Sequence, residues 1–148
     1  MSPAQEQFAR VKRYLVRMER KAASDEGTDD LYSFFLHAWH LLDWTGNDPA
    51  VGRTYKQLKE EVRVNLSRSI WLCRDIADAT KHLVLTRPKA RAAPRVLRGV
   101  RMFIGSDRPS EISFRFKFPD GSKKDALSLA RKVVVDWEQL LTRYGLAV

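Results

Sequence analysis

Residues Leu66–Leu85 read LSRSIWLCRDIADATKHLVL, a stretch without glycine or proline. Apolar side chains recur in it at spacings of three and four residues, which predicts one long amphipathic helix with a broad side facing the core. That side is formed by Leu66, Ile70, Leu72, Cys73, Ile76, Ala77, Leu83 and Val84. The opposite side is polar and carries Asp75, Asp78 and His82. We expect the other elements to pack around the apolar side.

Four more helices are predicted around this one. They are expected at about 3–23, 30–44, 50–65 and 122–145. The predicted apolar side of the first consists of Phe8, Val11, Leu15, Met18 and Ala22, and that of the second consists of Leu31, Phe34, Phe35, Ala38, Leu41 and Leu42. Ser2 with Gln5 has the spacing of a capping box for the first of them, and Asp29 or Asp30 is the expected cap of the second. Ser122 with Asp125 is the expected cap of the last helix, and Gly145 is a natural residue to follow its end.

The periodicity changes between the long helix and the last one. Ile112, Phe114, Phe116 and Phe118 alternate with polar residues, which is typical of a half-buried strand. Val96–Ile104 is the expected antiparallel partner. The fold class predicted is therefore a mostly helical α+β domain, a bundle of four to five helices with a small β-hairpin. We expect a single domain over 1–148, with a helical half (1–85), a basic loop and hairpin (86–121) and a C-terminal helix (122–145).

Composition restricts the class of protein. The chain has 148 residues, of which 44% are hydrophobic and 30% charged, as in water-soluble globular domains. Its apolar runs are too short to span a bilayer and its first residues lack the apolar centre of a signal peptide, so we expect a cytoplasmic protein without a membrane partner. The single cysteine, Cys73, excludes an intramolecular disulfide and is expected in the core.

The net charge of +9 is unevenly distributed. Residues 86–118 contain nine Lys and Arg against two acidic residues, a net +7. Such a field favours RNA or another polyanion, an acidic protein or an anionic membrane surface, and the alternative is a basic protein without such a partner. The cations expected to contact nucleic acid are Arg98, Arg101, Arg115 and Lys117.

Histidine and aspartate side chains form polar stripes on two predicted helices. His37, His40 and Asp43 follow one helix, and Asp75, Asp78 and His82 follow the other. If the stripes meet, three interpretations remain open. They are a hydrogen-bonded structural seam, a site for a divalent transition metal, and a catalytic site that needs no cofactor.

The metal site and the catalytic site would use two different sets of residues that share His82. The metal site would use His40, Asp43, Asp78 and His82. Metal-free RNA cleavage would use His82 as acid or base, with Arg74 and Asp75 beside it and the substrate's 2′-hydroxyl as nucleophile. Since Arg74 points well away from His82 on a single helix, a dimer could bring a second copy across. The sequence has no glycine-rich phosphate loop, Ser-His-Asp ordering or CxxC pair, which disfavours classical nucleotide binding and elbow-type hydrolysis.

Two motifs resemble a pattern in bacterial and phage proteins of uncharacterised function. His40-Leu-Leu-Asp43-Trp44 matches His-x-x-Asp-Trp, and the segment from Asp75 to His82 matches Asp-x-x-Asn-x-x-Lys-His with Asp78 in place of Asn. More distantly, the helical half resembles HEPN domains, which are small helical bundles, often dimeric, and include many metal-independent ribonucleases of defence systems. The resemblance implies a homodimer that binds or cleaves RNA. The family leaves four to six residues between its Arg and His, whereas seven separate Arg74 from His82.

Overall fold

The computed structural model describes residues 1–21, 25–64, 68–81, 95–101, 111–118 and 120–148. Five helices and three strands lie within these ranges. The helices are α1 (Pro3–Lys21), α2 (Asp25–Gly46), α3 (Tyr55–Val64), α4 (Arg68–Lys81) and α5 (Ala126–Arg143). The strands are β1 (Arg95–Arg101), β2 (Glu111–Lys117) and β3 (Lys123–Asp125).

The predicted fold class is confirmed. The fold is mostly helical, and the antiparallel pair β1–β2 precedes the C-terminal helix. A third strand, β3, extends the sheet in the order β1-β2-β3. The sequence did not reveal β3 because its three residues are all exposed and show no apolar alternation. Within the described ranges, no helix combines the length and the apolar character that a membrane crossing requires.

The apolar stripes of the first two helices form their interface. In α1, Phe8, Val11 and Met18 are buried as predicted. The helix begins with the predicted capping box, in which the Ser2 N–H donates to Gln5 Oε1 at 2.7 Å and the Gln5 N–H donates to Ser2 Oγ at 3.4 Å. In α2 the whole predicted apolar side is buried, namely Leu31, Phe34, Phe35, Ala38, Leu41 and Leu42.

Three predicted helix starts are wrong. The third helix begins at Tyr55 rather than at residue 50, because Gly52 has a φ of +62° and Thr54 caps the helix with Gln57. The second helix begins at Asp25, not after a cap at Asp29 or Asp30, because carboxylates are stabilised within a first helical turn and Asp30 instead pairs with Arg17 of α1 at 2.9 Å. The last helix begins at Ala126, not at Ser122, because residues 123–125 pair with β2. Asp125 caps it, and its side chain accepts from the Ser128 N–H at 2.8 Å.

The central helix and the sheet meet in one core. Ile70, Cys73 and Ile76 of α4 are buried, and the remainder of the predicted Leu66–Leu85 helix beyond α4 lies outside the described residues. Phe35 of α2 packs edge-to-face on Phe116 of β2, with ring centroids 5.2 Å apart. On β2, Phe114 and Phe116 are buried while Arg115 and Lys117 are exposed, as the alternation predicts. Because α4 and β2 pack into the same core, the first turns of α4 lie beside the β2–β3 connection.

Candidate nucleic-acid interface

A cleft of about 480 Å³ lies between the first two turns of α4 and the segment that connects β2 to β3. From α4 it is lined by Leu72 and by Arg68, Trp71 and Asp75, the last three of which recur at the three- and four-residue spacing of one helix face. From the other side it is lined by Phe118, Asp120, Ser122 and Lys124. The cleft thus combines two aromatic rings with cations, carboxylates and a hydroxyl.

Hydrogen bonds fix the connection that forms one wall of the cleft. The Phe118 N–H donates to the Ser122 carbonyl, and the Gly121 N–H donates to the Phe118 carbonyl, both at 2.9 Å. Gly121 has a φ of +84°, a conformation that glycine adopts without strain. The Ser122 hydroxyl and N–H both donate to Asp120 Oδ1, and these bonds, with the charge of Arg68, lower the pKa of Asp120. Asp120 is therefore a charged and oriented acceptor at the rim.

The candidate catalytic residues Arg74 and Asp75 are in direct contact. Arg74 donates through Nε at 3.1 Å and through a terminal nitrogen at 3.0 Å, both to Asp75 Oδ1. Its guanidinium also lies 4.3 Å from the ring centroid of Trp71, and the Trp71 ring packs edge-to-face on Trp39 of α2. Arg74 is thus held by a carboxylate and an aromatic face. His82, the third member of this set, lies outside the described residues.

Cations surround the aromatic wall on the sheet side. The Lys124 ammonium lies 5.5 Å from the centroid of the Phe118 ring. Arg115 and Lys117 are exposed on β2, and Lys117 is the cross-strand partner of Lys123 on β3. Directly opposite residues of an antiparallel pair share one face of the sheet. Lys117 and Lys123 therefore share the exposed face of the sheet with Arg115, whereas Lys124 is the partner of buried Phe116 and lies on the other face, toward the cleft.

The other two predicted nucleic-acid contacts belong to β1, where the structure describes only the backbone. Arg98 is the register partner of Phe114, and Arg101 is the register partner of Glu111. Arg115 and Lys117, in contrast, have partners in both neighbouring strands. Of the four predicted cations, the structure thus establishes exposure for Arg115 and Lys117, and the contribution of Arg98 and Arg101 stays a prediction.

The predicted metal site is only partly within the described residues. His40 and Asp43 lie on α2 and Asp78 lies on α4, while His82 is outside the described ranges. Among the described side chains, no three His, Cys, Asp or Glu residues come together in a way that could hold a metal ion. The four-residue metal site therefore stays a prediction that depends on His82.

His37 belongs to a hydrogen-bonded interface between α1 and α2. Arg10 donates to Gln7 Oε1 at 3.0 Å, which fixes the orientation of the Gln7 amide. Gln7 Nε2 then faces His37 Nδ1 and the His37 carbonyl, each at 3.2 Å, so that Nδ1 is an acceptor. The ring stacks on Tyr14 with centroids 5.1 Å apart. Burial, then the charge of Arg10, lowers the pKa of His37, and the neutral form is favoured.

A second buried polar cluster, around Asp136, was not predicted from the sequence. Asp136 of α5 is buried, accepts a hydrogen bond from the Ser69 hydroxyl and pairs with Lys132 at 3.2 Å. The only signal in the sequence is an aspartate between Val133 and Trp137, on the apolar side of its helix. Cys73 is fully buried nearby, and burial raises the pKa of its thiol. The expectation that Cys73 is a core residue is confirmed.

Comparisons of the chain with protein-family models, with curated proteins and with solved structures gave no match. What the chain does must therefore be inferred from its own side chains. The cleft brings two aromatic rings, two cations and several hydrogen-bonding groups to one cavity.

Proposed function

We propose that this chain is a HEPN-like RNA-binding protein that holds single-stranded RNA in the cleft between α4 and the β2–β3 connection. The observation that carries the proposal is the pair of aromatic rings, Trp71 and Phe118, each with a cation over or beside its face. Aromatic rings bind nucleobases by stacking, and cations hold the phosphates between them. Single-stranded RNA offers both groups, because its bases are unpaired.

The size and charge of the site support this ligand. A volume of about 480 Å³ lies within the range of sites for small organic ligands, so the cleft has room for part of a strand. Arg68 and Lys124 line the cleft itself, whereas Arg115 and Lys117 lie on the opposite face of the sheet. Since β3 is an edge of the sheet, a strand that leaves the cleft around this edge would bring its phosphates to both pairs of cations.

We further propose that the bound RNA is cleaved without a metal ion, in a defence or mobile-element context as in the family that the chain resembles. The 2′-hydroxyl of the RNA would attack the adjacent phosphorus with His82 as the general base. The P–O5′ bond would break, which leaves a 2′,3′-cyclic phosphate and a 5′-oxygen that takes a proton from water. Arg74 would stabilise the charge that develops on the phosphate, because its guanidinium is already oriented by Asp75 at 3.0 Å. A homodimer would supply the second copy of this set.

The test separates binding from cleavage. A labelled single strand of about ten nucleotides is titrated at about 50 mM and about 200 mM salt, where the log–log slope should be roughly −0.7 for each phosphate contacted. Replacing Arg115 and Lys117 by Gln should flatten the slope. The matched control replaces Arg53 and Lys56, two exposed cations outside the cleft, and should leave it unchanged. His82→Ala should keep binding and abolish cleavage.

Two results would contradict the proposal. Binding that is absent or insensitive to salt would remove RNA as the ligand. An equal loss of affinity in the Arg115/Lys117 and Arg53/Lys56 variants would show that charge alone, rather than this surface, attracts the strand.

The second candidate is a non-enzymatic interaction module, which one observation favours. His37 is occupied by Gln7 and Tyr14 within the α1–α2 interface, so at least this histidine of the polar stripes is structural. Arg13, Val16 and Arg20 are exposed on α1, where an acidic protein could dock. Under this alternative, RNA titration is negative, and His82→Ala changes no activity.

A further inference from the structure

We infer that the cleft between α4 and the β2–β3 connection selects a guanine base. The inference rests on the proposed RNA binding and adds the identity of the base that enters the cleft. It follows from two aromatic rings, two cations and the carboxylate of Asp75 around one cavity, in which the second carboxylate, Asp120, is engaged by Ser122. The rings, the cations and Asp75 each match one part of guanine.

The aromatic rings alone select no base. Trp71 and Phe118 line the cleft from opposite elements, and stacking on such rings tolerates all four bases because each has a π face. Trp71 is held in place by Trp39, whose ring centroid lies 5.9 Å away. The rings therefore offer surfaces on which a base can stack, and selection must come from the polar groups of the cleft.

Asp75 supplies the first element of selection. Both hydrogen bonds from Arg74 go to Oδ1, and the Asp75 side chain is partly exposed and lines the cleft, so the carboxylate can accept further donors there. Guanine presents two adjacent donors, N1–H and the N2 amino group, to such a carboxylate. Adenine and cytosine present one amino group beside an acceptor nitrogen, and uracil presents a single N–H between two carbonyls.

The cations supply the second element. Arg68 and Lys124 line the same cleft, and Arg and Lys are the side chains that donate to guanine O6 and N7. Cytosine and uracil have no N7, and adenine carries an amino donor at the position of O6, which would face a cation unfavourably. Guanine is thus the base that offers two adjacent donors to the carboxylate and two adjacent acceptors to the cations.

A guanine base could come from RNA or from a free nucleotide, and the recognition chemistry is the same. The experiment therefore compares four probes by direct titration. They are a short oligouridine, the same oligomer with one central guanosine, the same oligomer with inosine at that place, and guanosine monophosphate alone. Inosine lacks only the N2 amino group, so it removes one donor to the carboxylate without changing the stacking face.

The guanosine oligomer should bind about tenfold more tightly than oligouridine, within the range known for one good bidentate contact to a base. The oligomer with inosine should lose most of this gain in affinity. Because that comparison uses the wild-type protein, it does not depend on the folding of any variant. Asp75→Asn should bring the guanosine oligomer to the level of oligouridine. Asp29→Asn removes the same charge at an exposed site on α2 and should retain the preference.

Each outcome has one meaning. Equal, salt-sensitive affinity for oligouridine and the guanosine oligomer would overturn guanine selection and leave RNA binding intact. Absence of binding to every oligomer and to the monophosphate would overturn both proposals. Tight, Asp75-dependent binding of the monophosphate without oligomer binding would overturn RNA as the source of the base and the proposed function with it.

Discussion

The α1–α2 interface and the cleft beside α4 contain the same kinds of side chain and use them differently. In the interface, Arg10, Gln7 and His37 form a chain of hydrogen bonds, and Tyr14 covers the imidazole. In the cleft, Arg68, Asp75 and Lys124 line a cavity of about 480 Å³. Both regions are aromatic and polar clusters, but the groups of the second line a cavity, and for this reason we assign the proposed binding to it.

The largest effect should separate the core of the sheet from the wall of the cleft. Phe116→Ala should lower the free energy of unfolding by about 3–5 kcal/mol, because the ring is fully buried against Phe35 and its loss leaves a cavity. Phe118→Ala, in a half-buried ring, should cost under about 2 kcal/mol and should weaken RNA binding. Urea denaturation measures both. Equal costs would mean that Phe118 belongs to the core rather than to a binding wall.

This contrast also shows what the sequence could and could not predict. The alternation in β2 predicted the burial of Phe114 and Phe116, because one face of a sheet must meet the core. It could not predict the cleft, because Asp75 and Lys124 come from distant segments and meet only through packing of the sheet beside α4. Local pattern reports which side of an element is buried, but it does not report which element covers that side.

Hydrogen bonds show the same difference between what local sequence can and cannot predict. The capping box of Ser2 and Gln5 was predictable, because both partners lie within one turn. Thr54 and Gln57 form the same kind of capping box at the start of α3, and their spacing in the sequence is that of Ser2 and Gln5. The contact between Gln7 and His37 was not predictable, since it depends on the register of α1 against α2.

An intermediate effect should distinguish the two polar regions. Gln7→Ala should lower the free energy of unfolding by about 1–3 kcal/mol, because Gln7 is buried and bonded to both Arg10 and His37. Lys124→Gln, at an exposed position in the cleft, should change stability by less than about 0.5 kcal/mol and should reduce RNA affinity. Thermal denaturation of the two variants provides the comparison. A stable Gln7→Ala variant would show that the interface does not depend on its hydrogen bonds.

The smallest effect concerns pH. The folded state lowers the pKa of His37 below 6.5, mainly through burial, so the unfolded chain binds more protons as the pH falls below that value. The lowered pKa of His37 therefore contributes fully to the free energy of unfolding above pH 6.5. This contribution is lost as the pH falls toward the lower pKa of the folded protein. His37→Gln keeps an acceptor for Gln7 and does not titrate. The difference in Tm between wild type and this variant should shrink from about pH 7.5 to about pH 5.5, and a constant difference would contradict the proposed neutral imidazole.

Photochemical cross-linking tests most directly which of the two regions binds RNA. A single strand that contains 4-thiouridine is irradiated on the wild-type protein, and the modified peptides are identified by mass spectrometry. We predict cross-links to the peptides that contain Trp71 and Phe118, which line the cleft. Cross-links confined to the peptides of Tyr14 and Trp44, whose rings lie beside Arg17 and Arg10 at the α1–α2 interface, would contradict the assignment of the cleft.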